Sequence, residues 1–359
     1  MAKVHLARGS GKDSISALLE PYLKGAALKA TDLVAVKIHA GEQGNTRFVG
    51  PGRVAAVVEA LRLTPGRVFL TDTTVLYRGR RLCAPDYLLL SSEHGFGPPV
   101  TPPFIVADGL RGTDDVEIPL PGNSDPHPAR IARVIAESDA MVVISHFKGH
   151  LLTGFGGAVK NLGMGCASRA GKLFMHSGIR PVTKASKCTG CGNCAEHCPS
   201  GAIALTPLAS IDPDACVGCG ECIQRCPAGA IGTDWGQEKG EFARRLALYA
   251  MAAFSSTRVL VCVNFVTDVA PDCDCLGDTG PEVVEDIGVL ASTDPVALDQ
   301  ACLDLVTAAD GASGTFSGTG RGVEKFGLLH PGTDPEAQLS EAEAVGLGSR
   351  SFDLVELGT

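Results

Sequence analysis

Eight of the fourteen cysteines stand in two short runs, KCTGCGNCAEHCP and ACVGCGECIQRCP, whose spacing points to metal chemistry. They fall as Cys188, Cys191, Cys194 and Cys198 before Pro199, and as Cys216, Cys219, Cys222 and Cys226 before Pro227. This is the C-x2-C-x2-C-x3-C-P run of bacterial ferredoxins written twice with an offset of 28 residues, and Gly201-Ala202-Ile203 recurs as Gly229-Ala230-Ile231. Three such thiolates on a Gly-rich loop can face three corners of one iron-sulfur cube, but the loop cannot turn back to offer a fourth. In two-cluster ferredoxins the other motif supplies it. The spacing thus assigns Cys188, Cys191, Cys194 and Cys226 to one 4Fe-4S cluster, and Cys216, Cys219, Cys222 and Cys198 to a second. The alternatives are zinc, whose sites pair CxxC units rather than tripling them, and disulfides, which a cytosolic chain does not need.

Two further groups could do chemistry. Cys273-Asp274-Cys275 puts two thiols on one loop. Two thiolates can chelate an ion only with other ligands, for which Cys166, His146, His150 and His176 are candidates; a redox-active dithiol or two incidental thiols are the alternatives. The stretch HFKGHLLTGFGGAVKNLGMG and the GK and MH that follow carry His146, Lys148, His150, Lys160, Asn161, Lys172 and His176. Three lysines and three histidines beside Gly-rich backbone, with a helix start expected near Gly157, suit a phosphate- or carboxylate-bearing ligand rather than a purely structural network. Lys148, His150 and Lys160 are the candidate catalytic residues, Lys148 or His150 as general acid in a reduction. Asn161, Lys172 and His176 join the cysteines and His146 as residues for a third cofactor. GSGK at 9–12 is not a phosphate loop, since Leu6 and Asp13 stand where Gly and Ser/Thr are required.

Alternating apolar runs and helical periodicity must position these groups, which is how a mainly parallel α/β sheet reads. Strands are expected at 33–38, 67–70, 104–108, 140–145, 258–265 and 288–292, with an edge strand in SFDLVEL. Helices are expected from Pro51, over 81–94, 129–138 and 238–254, and from Pro295 with Asp294 as N-cap. The α/β domain is read as discontinuous, 1–180 and 236–359, around an inserted two-cluster ferredoxin domain at 181–235, with Trp235 packing at the junction. Polar segments follow most of these strands: His39, Asp72, Asp108, His146 to His150, Asn264, and Ser292 with Asp294. A parallel sheet would bring them to one cleft along its carboxyl edge.

With 359 residues, 45% hydrophobic and 20% charged, the chain can bury a sizeable core. A net charge of -9 argues against nucleic acid as partner. No apolar run nears the roughly 18 residues of a membrane span, and the N-terminus lacks a secretory h-region, so a cytoplasmic protein is expected.

The segments HFKGHLLTGFGGAVKNLGMGCASRAGKLFMH, NFVTDVAPDCDC and DIGVLASTDPVALDQACLDLV resemble the family catalogued as domain of unknown function 362, or DUF 362, often described as iron-sulfur centre proteins. The likeness extends to VKIHAGEQGN and to the C-terminal HPGTDPEAQLSEAEAVGLG. It implies an α/β domain joined to a ferredoxin module and a redox role, and it draws attention to Cys273 and Cys275. The expected function is an iron-sulfur oxidoreductase: an external electron carrier feeds two 4Fe-4S clusters, which pass electrons to a cleft holding a small acidic ligand or a further cofactor. The alternative is a non-catalytic electron-transfer or maturation protein that docks on a larger redox complex.

Overall fold

The computed structural model describes residues 1–23, 28–62, 67–120, 127–177, 180–233, 239–313 and 319–358. Eight strands form one sheet, in the order Phe352–Glu356, Ala2–Ala7, Gly288–Ser292, Arg258–Val266, Ala140–His146, Val34–Lys37, Val68–Asp72 and Phe104–Val106. Every neighbouring pair is parallel except those made by Gly288–Ser292, which runs against both of its neighbours. The architecture is therefore α/β with a mainly parallel sheet. Ala140–His146 is buried at every position because helices cover both faces, and its AMVVISH run has the continuous apolar character that such a strand needs. One face packs on the helices Ala158–Cys166 and Lys239–Ser256, the other on Lys12–Leu23 and Pro51–Ala60. Among the described residues no helix is long and apolar enough to cross a membrane.

The single reversed strand corrects one expectation. Ser292 and Asp294 leave the sheet at the edge opposite the other carboxyl ends and do not join the cleft. Asp294 instead caps the helix Pro295–Ala308, accepting from the N–H groups of Val296 and Ala297 at 2.9 Å, as the Asp-Pro pair predicts. The helix expected over 129–138 is also replaced. Ala129–Ala132 is a strand paired with Asp115–Ile118, and only Arg133–Ala136 is helical. Period-two burial there places Arg130 across from Asp115 and Glu117, to which it is ion-paired at 2.8 and 2.6 Å.

The cysteine-rich segment folds as two copies of one unit. Short helices Asn193–Glu196 and Glu221–Arg225 occupy equivalent places, as do the strand pairs Ile203–Leu205 with Ala209–Ile211 and Ile231–Gly232 with Val182–Thr183. Gly192 and Gly220 both take left-handed backbone, φ 81° and 69°, at the turn into each helix, where a side chain would be strained. The junction expected at Trp235 lies outside the described residues.

Candidate functional site

A cavity of about 370 Å3 opens at the carboxyl edge of the parallel strands. Its floor comes from the strand ends, with His39 just after Val34–Lys37, Asp72 on Val68–Asp72, and Ser145 and His146 on Ala140–His146. A hairpin of Lys148–His150 with Gly154–Gly156 then lays Lys148 and His150 along one wall, and the helix Ala158–Cys166 adds Lys160, Asn161 and Met164. Lys172 and His176 come from Arg169–Ser177, and Cys273 and Cys275 from the loop that follows Arg258–Val266. Val75, Leu76, Leu151, Leu152 and Leu276 make much of the remaining surface apolar.

The Cys-Asp-Cys alternation has a mechanical meaning. Asp274 is fully buried and turned away from the cavity, its carboxylate 2.8 Å from His146 Nδ1 and 3.2 Å from Lys148 Nζ. With the middle residue anchored inward, its two neighbours face the cavity. The loop is tied further by Glu42 N–H donating to the Asp274 carbonyl at 3.0 Å and by Asn45 Nδ2 donating to the Leu276 carbonyl at 2.8 Å. Gly149 allows the hairpin to pass against this loop, since a Cβ there would fall on the Pro271 carbonyl. His146 has both ring nitrogens engaged, Nδ1 with Asp274 and Nε2 donating to the Thr267 carbonyl at 3.0 Å.

Electrostatics divide the cations by role. Burial by itself would raise the Asp274 carboxyl, but His146 and Lys148 outweigh it and hold the group well below the usual carboxylate range. Burial likewise pulls Lys148 down, and Asp274 with the Cys273 sulfur reverses this, so Lys148 keeps its proton more firmly than a free lysine. Burial pushes His150 far down, reinforced by Lys160 and Lys148. It is then neutral, and because its Nδ1 accepts from Leu152 N–H at 3.2 Å, it presents an Nε2–H donor. His176 is lowered to about 3 by burial and by Lys160 and Lys172. Burial takes Lys172 to about 8, only partly opposed by Asp108 and Asp72. Cys273 is held well below the usual thiol range by its hydrogen bond with Cys275 and, against burial, by Lys160 and Lys148; Cys275 is raised by the same hydrogen bond and by burial.

Lys172 gives a stability prediction. Because its proton is held less tightly in the folded chain, the cost of burying it is present at neutral pH and is relieved as pH rises from 8 to 10.5. Lys172→Met is therefore expected to look better relative to wild type at pH 7 than at pH 10.5, by about 3 kcal/mol in urea unfolding. An unchanged difference across that range would contradict the buried charge.

Of the residues singled out by sequence, His146, Lys148, His150, Lys160, Asn161, Lys172, His176, Cys273 and Cys275 all line the cavity. Cys166 does not: it is buried in the core, its thiol pushed to about 11 by burial and directed at the Asn161 carbonyl. Asn161 lines the cavity with its amide already committed, Oδ1 accepting from Lys37 Nζ at 2.6 Å and Nδ2 donating to the Ile144 carbonyl at 3.0 Å. The helix start near Gly157 is present but not open to a ligand. Asp299 reaches across and accepts from the N–H groups of Ala158 and Val159 at 2.7 and 2.9 Å, so the chain supplies its own anion there. Asp108 is also spent internally, on the Thr74 N–H and hydroxyl. Tyr77 and Arg81 line the cavity without having been singled out. Arg81 is buried against His39 at 2.9 Å and Glu42 at 3.2 Å. The basic YRGRR segment following a strand end was the available signal.

The eight motif cysteines surround two small hollows. Cys188, Cys191, Cys194 and Cys226 line one, and Cys198, Cys216, Cys219 and Cys222 line the other. Backbone N–H groups point at sulfur in matching places, Ala202 to Cys198 Sγ at 3.3 Å and Ala230 to Cys226 Sγ at 3.1 Å. Among the described residues no three His, Cys, Asp or Glu side chains converge as one ion would require.

An open α/β sheet with a cation-lined cleft at its carboxyl edge and a cysteine-rich insert defines the class of protein. The chain belongs to the family described as Domain of unknown function (DUF362), which matches residues 34–304. Among solved structures it is similar to the lactate racemase apoprotein from Thermoanaerobacterium thermosaccharolyticum, at 14% identity over 75% of this chain and 51% of that chain, TM-score 0.41. It is also similar to a structural-genomics protein from Thermotoga maritima, at 12% identity over 71% of this chain and 50% of that one, TM-score 0.33. The chain thus spans about half the length of each. No curated protein matches it.

Proposed function

We propose that the protein is an iron-sulfur oxidoreductase in which the 181–235 segment holds two 4Fe-4S clusters and the cavity is where a small anionic ligand is reduced or oxidised. One observation carries this reading: the cysteine module and the cavity share a wall. Leu76 lines the cavity and also packs in the small core containing Cys194, Cys222 and Cys226. Two residues on, Arg78 Nη2 donates to the Pro227 carbonyl at 2.6 Å. When bound, the clusters supply one-electron chemistry, and an external carrier is the source or sink.

The chain's own residues bind and orient the ligand. The Lys160 side chain makes no hydrogen bond or ion pair among the described residues, so its ammonium is available to a carboxylate or phosphate. Lys148, tied to Asp274, contributes fixed positive charge and is a poor proton donor. Lys172, near 8, is the lysine that can give up a proton at physiological pH, and His150 offers a neutral N–H. Apolar side chains at Leu76, Leu151 and Leu276 line the same cavity and offer contact to the ligand's apolar part.

Anaerobic isolation tests the proposal. The protein is expected to carry about eight irons with matching acid-labile sulfide, and dithionite is expected to bleach its visible absorption and raise reduced-cluster EPR signals. Zinc in place of iron, or colourless protein after iron-sulfide reconstitution, would overturn it.

A further inference from the structure

We infer that Cys273 and Cys275 form a dithiol centre that exchanges with small, acid-bearing disulfides entering the cavity. The inference deepens the proposed function by naming a ligand class for the same cleft, yet its exchange half requires none of the motif cysteines.

The geometry supports it in three ways. The two thiols stand one residue apart and both line the same cavity, so one entering disulfide meets both. Asp274 fixes them there, because its buried carboxylate is held by His146 and Lys148. Finally, Lys148 and Lys160 line the same cavity, where their positive charge can stabilise an attacking thiolate and the thiolate that leaves. Lys160 provides for an acid group of the disulfide, and Leu76 and Leu276 for its apolar body.

The step balances without a further reagent. The Cys273 thiolate attacks one sulfur of R–S–S–R′; a bond forms to Cys273, the S–S bond breaks, and R′S− departs. Cys275, losing its proton, then attacks the Cys273 sulfur of the mixed disulfide and expels RS−. The protein is oxidised to the Cys273–Cys275 disulfide, and the ligand is reduced to two thiols. Two electrons and two protons from an external dithiol restore the pair.

The test uses the full chain, isolated anaerobically, with the aromatic dicarboxylate disulfide DTNB as probe. Wild type is expected to release about two thionitrobenzoate ions per DTNB consumed in a fast phase, and peptide mass mapping is expected to find the Cys273–Cys275 disulfide. Cys275→Ser should release about one and retain a mixed disulfide at Cys273, while Cys273→Ser should slow the fast phase at least ~100-fold. A Cys273→Ser protein that reacts as fast as wild type, or mass maps of wild type showing the label only on Cys83 or on motif cysteines, would overturn the inference. The mass map decides the matter even if a variant fails to fold. Iron content, measured on the same sample, reports separately on the clusters.

Discussion

Cys226→Ala is expected to lose one cluster and keep the other, falling from about eight irons to about four. The cluster lost should be the one whose remaining ligands, Cys188, Cys191 and Cys194, lie in the other motif. Cys226 stands in the second run by sequence, but in the fold it lines the hollow of the first. Cys198 makes the converse exchange. The two runs are held in this embrace by Asn193 Nδ2 donating to the Arg225 carbonyl at 3.0 Å. The pairing can be read from which cysteine set becomes alkylatable: in Cys226→Ala, Cys188, Cys191 and Cys194 should label while Cys216, Cys219, Cys222 and Cys198 remain protected. Labelling of the second motif's own cysteines instead would show that each run ligates locally.

What could be read beforehand follows from the range over which each signal acts. The Cys-x2-Cys spacing, the Asp294-Pro295 cap and the buried AMVVISH run are local, and neighbouring residues decide them. The lysines and histidines of 146–176 were legible as a group because one strand end, the hairpin after it and two consecutive helices carry them. Other features depend on partners far along the chain. Gly288–Ser292 has the same apolar run whether parallel or antiparallel, so only its pairing shows that Ser292 and Asp294 face away from the cleft. The helix start at Ala158 looked like an anion site until Asp299, about 140 residues on, was seen to fill it. Cys166 stood close in sequence to the cavity lysines, yet helical periodicity turns it into the core. Asp274 is the instructive omission. Between two cysteines it reads as a spacer, whereas in the turn closed by Leu276 N–H donating to the Cys273 carbonyl at 2.9 Å it is the buried residue between two sulfurs that line the cavity.

Asp274→Ala is accordingly expected to damage the site more than loss of either cysteine, and to cost about 3–5 kcal/mol of stability in urea unfolding. The wild-type carboxylate tolerates full burial only because His146 at 2.8 Å and Lys148 at 3.2 Å compensate it. Removing it leaves the Lys148 ammonium, itself buried, with the His146 carbonyl at 3.0 Å and without its carboxylate partner. An unpaired buried charge is costlier than a missing contact, which separates this explanation from simple loss of packing. If charge is the cause, Lys148→Met should rescue Asp274→Ala, leaving the double variant at least ~1 kcal/mol more stable than the single one. If packing is the cause, the two losses should add. Asp274→Asn keeps the shape but not the charge, so it should fall between wild type and Asp274→Ala in stability while still weakening the hold on Lys148.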